Sequence, residues 1–150
     1  MWKTSTDERL VNWQKFREDL GELPLSTALK NTAELWSRAP FKTYFLDPLH
    51  PETWPDPWKL VTERHYCDIA RCLGMVYTIY FTKHRTNVLP EIRIYQDINA
   101  CKLYVLLSIN DGQYILNWVP EEIVNINIVE ENQLQLLYQY SGADLKLEKY

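Results

Sequence analysis

From residue 5 to residue 36 the apolar positions recur every three or four residues, and after residue 90 they recur every second one. The first period belongs to helices and the second to strands. Leu10, Trp13, Phe16 and Leu20 fall on one helical face, Ser5-Thr6-Asp7-Glu8 matches a capping box before them, and Gly21 closes the segment. A second helix is predicted from Ser26, with Leu29, Ala33 and Trp36 as its buried stripe and Pro40 as its stop. Residues 1–40 thus read as a helical hairpin, a structural layer laid on the rest of the domain. A third helix is predicted over 65–81. It carries Ile69, Leu73, Val76 and Tyr80 on one face and Ala70, Tyr77 and Phe81 on another, the pattern of a central, buried helix. Gly74 in its middle costs about 1 kcal/mol against alanine, which implies close backbone packing there. Lys83-His84-Arg85 suits the negative end of its dipole.

Residues 41–63 break both periods. Pro48, Pro51, Pro55 and Pro57 fall among Phe41, Tyr44, Phe45, Trp54 and Trp58. Each proline fixes its own φ and biases the preceding residue toward extended backbone, so the segment reads as a semi-rigid arm. Its rings either clamp the domain's own surface or dock on another subunit. Tyr44, Phe45 and Trp54 are the candidate partner-binding residues, with Trp54 expected to face outward and Trp58 to pack inward. After Pro90, strands are predicted at Glu91–Ile98, Lys102–Ile109, Gln113–Trp118 and Gln133–Tyr140, with a weaker one near Ile123–Val129. Asn110-Asp111-Gly112 supplies a hairpin turn, because these residues tolerate positive φ. The alternating tail Leu145–Tyr150 either adds an edge strand or stays mobile. Helices first and an antiparallel sheet second make a single α+β domain over 1–150, with the central helix and sheet in 64–150.

Composition narrows the classes. The chain has 150 residues, 46% of them hydrophobic and 24% charged, which is the make-up of a globular domain. A net charge of −4 and no stripe of Lys or Arg argue against nucleic acid as the primary partner. No apolar run approaches the ~20 residues that cross a bilayer, and the N-terminus lacks the apolar stretch of a signal peptide. The three cysteines are therefore expected as reduced thiols in a cytoplasm. Ten Tyr and six Trp are many for this length, and aromatic rings serve interfaces as well as cores.

The candidate chemistry sits at the start of the central helix, where Cys67 follows the stretch Trp54-Pro55-Asp56-Pro57-Trp58. A helix N-terminus favours a thiolate. A small buried residue at a packed helix start is the competing reading, because free cysteine is among the most buried residue types. Asp68 reads as a favourable charge in the first turn. Cys72, five residues on, shares no face with Cys67, so neither a metal site nor any cofactor is expected.

The order of these elements resembles the transglutaminase-like branch of the papain-like fold. The resemblance covers residues 54–120. It implies Cys67 as nucleophile, a histidine on the following sheet, and Asn117 in the third position that orients the imidazole. The histidine position falls at Cys101, Lys102 or Leu103, none of which replaces an imidazole as base. His84 lies beyond the helix, and His65 diverges from Cys67 on a regular helix. The openings Met1–Leu10 and Leu35–Phe41, Trp54–Trp58, Tyr66–Ala70 and the ending Leu145–Tyr150 also resemble small accessory or virion proteins of T4-like tailed phages of marine bacteria. That resemblance implies host cytoplasm during synthesis, or the virion, as the location, with other protein subunits as partners. Two functions follow. One is a non-catalytic binding or structural module on a degenerate transglutaminase-like scaffold. The alternative is a cysteine-dependent amide hydrolase or acyl transferase using Cys67 and Asn117.

Overall fold

A computed structural model describes residues 1–43 and 46–150. Tyr44 and Phe45, two of the expected partner-binding residues, lie outside the described residues. Helix α1 spans Thr6–Gly21, and the Ser5 hydroxyl accepts the Glu8 amide at 3.4 Å as the capping motif requires. Helix α2 spans Leu25–Ser37 and buries Ala28, Leu29, Thr32, Ala33 and Trp36. The two form the expected hairpin.

The arm differs from its expectation. It coils into a single 3-10 turn at Pro51–Thr53 and a short helix α3, Pro57–Val61. Pro51 and Pro57 each occupy the first turn, where the missing N–H costs nothing, and the Asp56 carboxylate accepts the Lys59 amide at 2.8 Å. The prolines here start turns rather than hold an extended chain. Helix α3 directs Pro57, Leu60 and Val61 inward and leaves Trp58 half exposed. Trp58 was expected inside. Its ring instead lies on the surface of the core, stacked on Phe81 at 5.6 Å with its neighbour Trp13 edge-on at 5.8 Å. Trp54 is half-buried against the domain itself: its indole donates to the Asp47 carbonyl at 2.8 Å and its ring meets Tyr140 edge-on at 5.3 Å.

Helix α4, Asp68–Tyr80, is the centre of the molecule, with ten of its 13 residues buried. A β-carbon at Gly74 would fall inside the van der Waals envelope of the Trp36 ring. One turn on, the buried Thr78 hydroxyl accepts from both the Trp13 indole at 3.0 Å and the Trp36 indole at 2.9 Å. It donates to the Gly74 carbonyl at 2.6 Å. This one hydroxyl locks α1 and α2 to α4.

Four strands follow: β1 Pro90–Asp97, β2 Lys102–Ile109, β3 Tyr114–Leu116 and β4 Gln135–Tyr140. They form an antiparallel sheet in the order β3-β2-β1-β4, with a bulge in β4 where it passes Ile94 and Tyr95. Ile92, Ile94, Leu107, Ile109 and Leu116 share the main core with α4. Tyr95, Leu106 and Ile115 face the other side, under Trp118, Val124, Ile126 and Val129. The turn at Asn110, Asp111 and Gly112 runs through φ of 55°, 52° and 83°, as its residue types predict. The weak strand over Ile123–Val129 is corrected to a single bridge from Val124 to Ile115 followed by a short helix α5, Asn127–Glu131. The Asn125 side chain accepts the Asn127 amide at 2.9 Å and turns the chain out of the extended state. The tail neither adds an edge strand nor hangs free. Lys146 takes a left-handed φ of 56°, so Leu145 and Leu147 both reach the core.

Candidate functional site

The approach to Cys67 is pinned on both sides. The Tyr66 amide donates to the Pro40 carbonyl at 2.7 Å, and the Tyr66 carbonyl accepts the Lys42 amide at 3.1 Å. The Tyr66 ring is fully buried among Trp2 and Trp36. Its hydroxyl lies within 3.0 Å of the Val61 carbonyl and takes a 3.4 Å hydrogen bond from the Arg9 guanidinium. Burial pushes this phenol up to about 12, with the Arg9 charge pulling the other way.

Cys67 itself is the N-cap of α4. Its backbone is extended and its sulfur accepts the Ala70 amide at 3.5 Å, the bond a serine or threonine makes at this place. Only 4% of the residue is exposed. Asn117, at a left-handed φ of 72°, reaches the same helix end from beyond β3. Its carboxamide donates to the Asp68 carboxylate at 3.2 Å and to the Val105 carbonyl at 3.0 Å. Cys72 lies one turn deeper and donates to the Val105 carbonyl at 3.6 Å. Burial, and then the Asp68 charge, push its thiol well above the ordinary range, so Cys72 is a neutral packing group. Arg71 leaves the site: its guanidinium donates to the Ala39 carbonyl at 2.5 Å and lies over the Phe41 ring at 4.9 Å.

The structure brings Cys67 and Asn117 to one helix end, with Asp68 between them. Asp68 was read as a dipole partner alone. Its hydrogen bond to Asn117 has no signature in the sequence, because the two lie 49 positions apart. The base position stays empty of any base. Cys101 is exposed in the β1–β2 turn at a φ of 51°, the Lys102 ammonium lies 4.8 Å from the Tyr104 ring centre, and Leu103 is 46% exposed. By strand alternation Leu103 shares its side of β2 with Val105 and Leu107. The histidines are engaged elsewhere or turned to solvent. His84 meets the Leu20 carbonyl at 3.1 Å, His50 meets Glu52 at 3.1 Å, and His65 is exposed. Among the described residues no histidine ring hydrogen-bonds to Cys67, and no cluster of three His, Cys, Asp or Glu side chains could hold a metal ion.

With this geometry in place, the chain superposes on LapG of Legionella pneumophila with a TM-score of 0.72 at 14% identity, over 91% of this chain and 75% of LapG. The fold is transglutaminase-like. The calcium-bound form of LapG gives the same TM-score over 92% of this chain and 77% of that one. The EGTA-treated form also gives 0.72, over 91% and 74%. At 14% identity the likeness is one of fold. No family model and no curated protein matches the sequence. No helix among the described residues is long and apolar enough to cross a membrane.

Proposed function

We propose that the chain is a non-catalytic protein-binding module that uses a transglutaminase-like scaffold without its thiol chemistry. The observation that supports this reading is the head of α4. The Cys67 sulfur is spent as a helix cap on the Ala70 amide, and among the described residues no histidine ring hydrogen-bonds to it. A nucleophilic thiol needs a base within about 3.5 Å to take its proton. The Asn117 carboxamide, which would orient an imidazole, is bonded to Asp68 and a backbone carbonyl. The partner on this reading is another protein subunit. The resemblance of the chain's openings to those of tailed-phage proteins favours a virion or assembly role.

The opposing reading is a cysteine-dependent amide hydrolase using Cys67 and Asn117. Its support is the LapG-like fold and the placement of both residues at one helix N-terminus. Labelling with a thiol-directed acylating probe at neutral pH separates the two. The binding-module reading expects the exposed Cys101 to label first and Cys67 to stay slow at every pH near 7. Rapid labelling of Cys67 ahead of Cys101, abolished by substituting one histidine, makes the protein an enzyme.

A further inference from the structure

The sheet ends in two edges, and they are built differently. The β3 edge is three residues long, and Ile115 is bridged on its outer side by Val124. The β4 edge is open. Gln135 to Gln139 are all exposed, with Leu136 at 44% and Tyr138 at 39%. Among the described residues the backbone of β4 hydrogen-bonds only to β1, so its outer row of N–H and C=O groups has no protein partner. From Gln133 to Tyr140 the chain reads Gln-Leu-Gln-Leu-Leu-Tyr-Gln-Tyr, eight positions without a charge, a proline or a glycine. Proteins blunt an open edge with lysine, proline, an inward charge or a covering element. Of the edge-breaking devices β4 carries one, the bulge at Leu137.

We propose that β4 is a self-association edge, which pairs antiparallel with β4 of a second copy of this chain across a two-fold axis. The choice of a second copy rests on charge. In a two-fold antiparallel pair the strand meets only itself read in reverse, so a strand without a charge at any position makes no like-charge pair in any register. Among the described strands of six residues or more, β4 alone carries no charge, in a molecule of net charge −4. Glutamines can hydrogen-bond across the pair, and leucines and tyrosines can cover one another. The bulge helps rather than hinders. It turns Leu136 to the face of Tyr95 and Tyr138 to the face of Ile94, so both faces of the joined sheet gain an apolar contact at the seam. Pairing makes one sheet of two four-stranded halves. A single strand pair buries less than the about 1,200 Å² of a standard interface, so the dimer is weak and depends on concentration. The proposal does not depend on what Cys67 does.

Sedimentation velocity of the full chain from about 1 µM to about 1 mM tests it, the range in which weak interfaces form. Leu137→Lys and Leu137→Glu place like charges at the seam, and both sit on an exposed strand, so circular dichroism should show the fold kept. The expected result is a monomer–dimer equilibrium for the natural chain, monomers for each variant alone, and dimers again when the two variants are mixed. Hydrogen exchange of the β4 amides in the natural chain should slow as concentration rises. A monomer throughout the range overturns the proposal. So does association unchanged in both variants, failure of the mixture to associate, or exchange of β4 amides independent of concentration.

Discussion

The body of α4 and its head are two parts of one helix under different physical constraints. In the body, Gly74 leaves room for the Trp36 ring, and Thr78 accepts two indole N–H groups while donating to the Gly74 carbonyl. The helices α1, α2 and α4 are fixed there by the same few atoms. At the head, Cys67 caps, Asp68 receives one amide, and Asn117 closes the contact from the end of β3. The contacts that hold α1 and α2 to α4 thus lie about two to three turns away from Cys67. Substitutions in the body should therefore cost the most stability, and those at the head the least.

The largest effect belongs to the body. Trp36→Ala empties the space of a fully buried indole and should cost about 3–5 kcal/mol in urea unfolding. Gly74→Ala drives a methyl into the Trp36 ring and should cost about 1–3 kcal/mol, despite alanine's better helix propensity. The double variant decides the matter. In it the methyl enters the cavity left by the indole, so the combined loss should fall clearly below the sum. Additive losses would place the strain elsewhere. Next comes Thr78→Val, which keeps the shape and leaves two buried indole donors without an acceptor, at about 1–3 kcal/mol for each. Thr78→Ser, which restores the oxygen, should recover most of it.

This body was legible in the sequence, and the head only in part. The helical period placed α1, α2 and α4, and a glycine in the middle of a buried helix implied close backbone packing, where the structure puts the Trp36 ring. The stripe also put Trp36 inside, but the pairing of its indole with Thr78 over 42 positions has no local signal. At the head, the sequence put Cys67 near the start of a helix predicted from residue 65, and Asn117 beside it was what the transglutaminase-like resemblance implied; the capping bond of Cys67 was not legible. Nor was the Asp68–Asn117 bond, because it depends on Asn117 adopting a left-handed backbone. The arm misled for a definite reason. Proline is common both in extended chain and at the first position of a helix, and only Asp56 as a cap distinguishes the two at Pro57. The period-two reading of Ile123–Val129 failed because the Asn125 side chain offers the backbone a turn in place of a ladder.

A pH titration reaches the join between body and head. Tyr66 is neutral in the fold and its phenol is pushed up to about 12 by burial, against an ordinary value of 10.0. The unfolded chain therefore loses this proton first as pH rises. The contribution of the neutral phenol is fully present below pH 10 and is lost as pH climbs from 10 toward about 12. Burial raises Tyr77 in the same direction, so both phenols should ionise together with alkaline unfolding, as one cooperative step in tyrosinate absorbance. Tyr66→Phe should shift the alkaline midpoint upward and lower stability at pH 7, since the hydroxyl's bonds to Val61 and Arg9 are gone. An unchanged alkaline limb would mean that Tyr66 ionises without unfolding the chain.

The smallest effect is expected at the residue with the most chemical interest. If Cys67 is a helix cap, its worth is the worth of one weak bond from the Ala70 amide to a sulfur at 3.5 Å. Serine makes a better cap from the same place, since its oxygen is the stronger acceptor, while its hydroxyl must be accommodated at a site only 4% exposed. These two terms oppose, so Cys67→Ser should leave stability within about 0.5–1 kcal/mol of the natural chain. Cys67→Ala removes the acceptor with no gain and should fall below the serine variant by about 1 kcal/mol, the usual cost of losing a side-chain cap. The order Ser above Ala, read from urea midpoints at constant m-value, is the signature of a cap. A thiol held instead for packing reverses that order, because alanine suits an apolar site better than an unbonded hydroxyl does. Either outcome leaves partner binding untouched on the binding-module reading, whereas an enzyme loses its activity in both variants alike.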